Sequence, residues 1–268
     1  MLWNFRMNGA CDSRRPGEVR YAELVLTRMG FFHFVRDYCD PFGSLARAMD
    51  EQSAKCEEPD IRGSLIVLPE AFNLGMPYYP PDFPKTPRKP GGAKIPLERA
   101  LEELHHIATS RTIAFVAGLI GEQFSSAYWI DNNGPPKLMC HKMGDDGTGN
   151  CRQWEGCDDN NPVECDGTCV GALICLDAVE CLGEKPAARE RREKLIDKLK
   201  TCSQRYSVLC IPGCMSRHCM PERDGVYCIL ANSGSQNSFV KNDQRRDVVV
   251  PADAGQNEIC LASLPLPS

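Results

Sequence analysis

The sequence predicts a layered α/β domain. Three segments of helical composition are interleaved with short apolar runs of strand length, and no repeat or low-complexity linker divides the chain. Several of those runs end directly in a polar or reactive residue, which places side chains with chemistry where a strand meets its loop.

Taken in order, residues 1–40 give little pattern apart from Ala22-Glu23-Leu24-Val25-Leu26, a candidate first strand. Residues 43–55 have helical composition, with Leu45, Ala46, Ala48 and Met49. Ser64-Leu65-Ile66-Val67-Leu68 reads as a strand that stops at Pro69-Glu70. Residues 73–92 are dense in Pro, Gly and Tyr and form no regular element; with Tyr78, Tyr79 and Phe83 they make a candidate lid.

Helix resumes at Pro96, a suitable first-turn residue, and Leu97, Leu101, Leu104, Ile107 and Ala108 share one face. A fully apolar strand covers residues 112–120, and Ala127-Tyr128-Trp129-Ile130 runs into the turn Asp131-Asn132-Asn133-Gly134. Leu138-Met139-Cys140 leads to His141-Lys142-Met143, and residues 144–167, rich in Asp, Gly and Asn, read as irregular. Val170-Gly171-Ala172-Leu173-Ile174 is a buried strand that delivers Cys175 to a sharp turn. Residues 187–204 form a charged amphipathic helix carrying Leu195, Ile196 and Leu199, followed by strands at 208–211, 226–230, 248–250 and 258–261.

Composition narrows the function classes. With 268 residues, 42% apolar and 25% charged, the chain is read as one soluble domain spanning residues 1–268. A net charge of -5 gives no basic footprint, so neither nucleic acid nor an anionic membrane is the expected partner. No apolar run approaches the ~20 residues that span a bilayer, and the first residues lack a basic segment followed by a long apolar core; the expected address is cytoplasmic.

Sixteen cysteines are many for that compartment, and without a leader they read as reduced thiols. Cys210, Cys228 and Cys260 lie within apolar runs and behave as small core hydrophobes. A competing constellation is structural zinc, held by Cys151, Cys157, Cys165 and Cys169 or by Cys210, Cys214, His218 and Cys219, although neither set has paired C-x-x-C spacing. His105 and His106 adjoin on one helix and do not share a face.

Glu70, Lys142 and Cys175 together supply what cleavage of an unactivated C–N bond requires. A thiol of ordinary pKa near ~8.5 needs a neighbouring base before it attacks, and a carboxylate can take that proton and return it to the leaving amine. A charged Lys accepts nothing, so its work is to stabilise the carboxylate and the developing oxyanion, joined by the backbone N–H of Leu176 after the nucleophile.

At these residues the chain resembles the nitrilase superfamily of carbon-nitrogen hydrolases. The resemblance is carried by Leu65-Ile66-Val67-Leu68-Pro69-Glu70-Ala71-Phe72-Asn73, His141-Lys142-Met143 and Gly171-Ala172-Leu173-Ile174-Cys175-Leu176-Asp177, in that order, with Ala231-Asn232-Ser233-Gly234-Ser235 as a late strand and loop. It covers roughly residues 60–265 and leaves residues 1–40 poorly matched. It implies a four-layer αββα sandwich that assembles into a homodimer or higher homo-oligomer, a small-molecule amide or nitrile as substrate, a thioester intermediate and no cofactor.

In this frame Glu70, Lys142 and Cys175 are the catalytic residues. Family members also carry a second acid shortly after the Lys; Asn150-Cys151 stands there, and Glu155, Asp145 and Asp146 are the nearby carboxylates, none in register. Hydrolysis of a linear amide is the expected activity. Two other readings stand beside it: a degenerate homologue acting as a cysteine-rich zinc-binding or interaction protein, and acyl transfer to an amine.

Overall fold

The computed structural model describes residues 24–33, 40–55, 61–74, 95–122, 124–143, 160, 162–178, 186–202, 205–213, 225–232, 237–241, 246–250 and 257–263. In the first half of the chain these give β1 (Arg28–His33), α1 (Pro41–Lys55), β2 (Ser64–Leu68), α2 (Leu97–Arg111), β3 (Ala114–Ile120), β4 (Ser125–Ile130) and β5 (Lys137–His141). The second half supplies β6 (Val163–Cys165), β7 (Thr168–Ala172), α3 (Pro186–Cys202), β8 (Tyr206–Gly213), β9 (Tyr227–Asn232), β10 (Ser238–Lys241), β11 (Arg246–Val250) and β12 (Glu258–Ser263).

Two six-stranded sheets result, ordered β12-β1-β2-β3-β4-β5 and β11-β10-β9-β8-β7-β6. Each has three parallel strands at its centre and antiparallel strands at its edges: β1, β2 and β3 in one, β7, β8 and β9 in the other. The sheets pack face to face, with α1 and α2 covering the first and α3 the second. The chain is therefore a four-layer αββα sandwich.

The period of two in each strand explains the layering. On β2, Leu65 and Val67 enter the core between the sheets, while Ile66 and Leu68 meet the helices. On β3, Ala114 and Val116 face the opposite sheet, and Phe115, Ala117 and Leu119 face α1 and α2. Apolar residues on both faces are what a centrally placed parallel strand needs, which is why these runs show no polar alternation.

Most elements begin or end within two residues of the sequence expectation; the exceptions are informative. The segment expected as a first strand, Ala22–Leu26, is not one over its described part: Leu24 and Leu26 are buried and Val25 is exposed, but the ladder begins at Arg28. There the Thr27 and Arg28 amides turn onto the Gly63 carbonyl. Gly30 obscured the true strand. Within β1 it is required, because a Cβ at that position would collide with the Cys260 carbonyl of β12.

The stretch read as irregular up to Gly167 contains β6. Its turn to β7 is the two-residue pair Asp166-Gly167, both at positive φ (49° and 71°), as a type I′ hairpin requires. Arg205 holds that turn by pairing with the Asp166 carboxylate and through its own amide to the Gly167 carbonyl. β10 was also unassigned in the sequence. The candidate lid residues Tyr78, Tyr79 and Phe83 lie outside the described residues.

The thiols correct a further expectation. Cys169 of β7 is joined to Cys202 at the end of α3, so these two are not reduced thiols and Cys169 is not a metal ligand. Packing of α3 on β7 brings together cysteines 33 positions apart, a pairing sequence alone does not specify. Cys165 donates to the Leu24 carbonyl and Cys210 is buried in β8, while Cys151, Cys157, Cys214, His218 and Cys219 lie outside the described residues. Among the described residues no three His, Cys, Asp or Glu converge on a metal site, and no helix is long and apolar enough to cross a membrane. Closing a loop of 33 residues contributes about 3–4 kcal/mol by restricting the unfolded chain. Cys202→Ser is expected to lower the unfolding free energy by that amount, measured by urea denaturation, and reduction of the parent protein should reproduce the loss.

Candidate active site

The C-terminal ends of β2, β5 and β7 meet at one edge of the sandwich. β5 runs antiparallel to β4 and β4 antiparallel to β3, so β5 points the same way as β2 and β3. β7 lies parallel to β8, and Pro212 near the end of β8 abuts Gly118 near the end of β3. Three strand ends from two sheets thus deliver Glu70, Lys142 and Cys175.

Glu70 follows Pro69, which lacks a backbone donor and ends the β2 ladder. The chain turns sharply there, with Ala71 in the left-handed region at φ 60° and a 3-10 turn over Phe72–Leu74. Asn73 anchors the turn: its side-chain amide donates to the Ile95 and Ile120 carbonyls while its Oδ1 accepts from the Ile120 amide. Glu70 is 4% exposed.

Two donors meet one oxygen of its carboxylate. Lys142 Nζ donates to Glu70 Oε1 at 2.8 Å, and Ser125 Oγ donates to the same oxygen at 3.0 Å. The Lys142 side chain is also 4% exposed, so this is an ion pair removed from water. Lys142 is held from behind as well: its amide donates to the Ser125 carbonyl at 2.8 Å, and Arg191 of α3 donates to the carbonyl of the preceding His141 at 2.7 Å.

Cys175 opens a 3-10 turn, Cys175–Ala178, closed by the Asp177 amide on the Ile174 carbonyl. Its own φ is 49°, a left-handed conformation that costs a non-glycine residue about 1–3 kcal/mol and persists only where the surroundings enforce it. Leu176 comes next, partly buried against the core. Asp177, 2% exposed, accepts the Met143 amide on Oδ2 at 2.8 Å, so the turn carrying Cys175 is bonded to the loop carrying Lys142. Behind both, the Ala172 carbonyl accepts from Cys140 Sγ at 3.3 Å and from Asn160 Nδ2 at 3.0 Å.

The site is therefore built from more residues than the three singled out in the sequence. Ser125, which opens β4, gave no signal there, because a serine beside a second serine resembles any strand entry. Asp177 lay inside a quoted motif without a role. Glu155, Asp145 and Asp146, the carboxylates near the second-acid position, lie outside the described residues.

Gly118 is a further unrecognised participant. A Cβ there would fall 2.8 Å from the Glu70 Cα and 2.6 Å from the Pro212 Cβ, so the absent side chain is what lets Glu70 approach β3. Gly118→Ala is expected to cost about 1–3 kcal/mol by overpacking, seen as a lower urea midpoint.

Two further thiols lie in the second sheet, Cys210 on β8 and Cys228 on β9. Burial raises the Cys210 thiol well above its ordinary range, with the neighbouring Cys228 adding to the rise. Cys228 is pushed up to about 12 by burial, against an opposing pull from Lys241. Both remain protonated and weakly nucleophilic at neutral pH.

No protein-family model matches the sequence, and no curated protein matches it. Solved structures do. An amidase from Nesterenkonia sp. is 17% identical with a TM-score of 0.56, over 91% of this chain and 92% of its own. A variant of the Nesterenkonia AN1 amidase with its cysteine replaced by alanine, described as from the nitrilase superfamily, gives 17% and 0.57 over 91% and 93%. The fold is that of the nitrilase superfamily.

Another structure of this nitrilase-fold amidase, again a cysteine-to-alanine variant, was solved with butyramide; it is 18% identical, with a TM-score of 0.58 over 91% and 93% of the two chains. A glutamate-to-leucine variant of the same amidase shows covalent addition of the acetamide moiety of fluoroacetamide at its active-site cysteine.

Proposed function

We propose that this chain is a divergent nitrilase-superfamily hydrolase that cleaves a small linear amide through a thioester on Cys175. The observation that carries the reading is the water-excluded pair of Glu70 and Lys142, tied through Met143 and Asp177 to the strained turn that presents Cys175. A buried carboxylate paired with an ammonium, on a loop bonded to a strained turn that bears a buried thiol, is a costly arrangement for stability alone.

In this reading the Cys175 sulfur attacks the amide carbonyl carbon while its proton passes to Glu70. The carbonyl oxygen becomes an oxyanion, held by Lys142 and the Leu176 amide. The C–N bond then breaks, Glu70 returns the proton to nitrogen, and ammonia or a small amine leaves. Water attacks the thioester, giving a proton to Glu70; the acid departs and the thiol recovers its proton. Each step balances without a redox partner or cofactor.

The test is turnover of butyramide, read as released ammonia and, after acid quenching, by intact mass. An acyl group on the parent protein with ammonia released, both absent in Cys175→Ala, supports the reading. Acylation or ammonia release that persists in Cys175→Ala, or no ammonia from butyramide and other small linear amides with the parent protein, would sink it.

A further inference from the structure

We propose that Ser125 is a positioning residue that decides which oxygen of Glu70 moves protons. The inference rests on the reading of Glu70 as proton carrier. A carboxylate has two equivalent oxygens, and a lysine ammonium on a flexible stem with three donors can bridge to either. Lys142 by itself therefore does not fix which oxygen is left to face the thiol.

Ser125 removes the degeneracy. It is 1% exposed, and its hydroxyl is aimed at Oε1, the oxygen that Lys142 also holds. Among the described residues Oε2 accepts no hydrogen bond. With both donors on one oxygen, Oε1 is occupied twice and Oε2 is the oxygen left open to take a proton.

The serine is itself held in place from several directions. Its carbonyl accepts the Lys142 amide, so one residue fixes both the carboxylate and the backbone of the lysine. It faces Ile120 in the β3–β4 ladder, next to the turn in which the Gly121 amide meets the Phe124 carbonyl. Ile120 is bonded in turn to Asn73, three residues beyond Glu70. The geometry closes a ring from Glu70 through Asn73, Ile120 and Ser125 back to Glu70, so movement of either strand end is felt at the carboxylate.

Threonine and valine at position 125 have the same shape and differ in the hydroxyl, so their comparison cancels any packing effect. The readout is steady-state ammonia release by the full chain, at saturating and at limiting butyramide. We expect Ser125→Val to turn over at least about tenfold more slowly at saturation than Ser125→Thr, with half-saturating concentrations within about twofold, because the hydroxyl acts on proton transfer and not on binding. Equal maximal rates for the pair would overturn the proposal. Should the branched side chains prevent folding, Ser125→Ala against the parent protein gives the same comparison. Glu70→Gln separates the two levels: if it releases ammonia as fast as the parent protein, the reading of Glu70 as proton carrier fails, whereas a slow Glu70→Gln with equal Thr and Val variants removes Ser125 alone.

Discussion

On the proposed thioester route, amide hydrolysis by Cys175→Ala is expected at no more than about 10⁻⁴ of the parent rate, with stability within about 1 kcal/mol of the parent. In that route the activity loss follows from removal of the atom proposed to form the acyl intermediate; Glu70 and Lys142 that remain could orient water but not carry an acyl group. The small stability change follows from geometry. Alanine suffers at φ 49° much as cysteine does, so the strain of the turn is retained, and only a buried sulfur is lost. Steady-state ammonia release together with urea denaturation checks both halves of the prediction. An unstable Cys175→Ala would mean that the thiol holds the turn together, and undiminished ammonia release would remove it from the chemistry.

Breaking the pair of Glu70 and Lys142 should produce the largest stability effect of any single substitution at the site. Lys142→Met leaves the Glu70 charge buried with Ser125 as its remaining donor, and loss of one partner of a buried pair costs about 3–5 kcal/mol. Glu70→Leu strands the ammonium in the same way. The double variant, with both charges gone, is expected to recover most of the loss, since an apolar pair of similar volume has no charge to desolvate. None of the three should hydrolyse amides. Urea denaturation of the full cycle gives the coupling energy; simple additivity of the two single losses would show that the charges do not depend on one another in the folded protein.

The candidate site was legible in the sequence to the extent that the proposed residues terminate apolar runs. Glu70 after Leu68, Lys142 after Cys140 and Cys175 after Ile174 each stand where a strand of strong apolar pattern stops, and the structure gathers all three strand ends at one edge. What pattern does not reveal is which residues brace them. Ser125 and Asp177 act through single hydrogen bonds to groups 55 and 34 positions away, and nothing in local composition marks a serine or an aspartate for that purpose. Gly118 sat inside a fully apolar run and looked like a weakness in the strand, although its missing Cβ is what the neighbouring backbone requires.

The fold was legible through the same runs, down to the helix at Leu97–Arg111 and the strand at Ser64–Leu68. The unassigned strands were the short ones. β6 has three residues and β10 four, too few for a period to show, and β1 is interrupted by Gly30. The link between Cys169 and Cys202 depends on packing of α3 on β7 and is invisible until both are placed.

The pairing of β12 with β1 makes the order of synthesis matter. β1 is among the earliest described elements and β12 the last, yet they share a six-residue antiparallel register from Arg28 with Ser263 to His33 with Glu258. While a ribosome is still extending the chain, β1 has β2 on one side and an open edge on the other, flanked by the large apolar side chains of Phe31 and Phe32. Contacts of such long sequence separation form late and slowly. A nascent chain of this protein is thus sticky along that edge for most of its time on the ribosome, and chaperone capture there would protect it until residues 258–263 emerge.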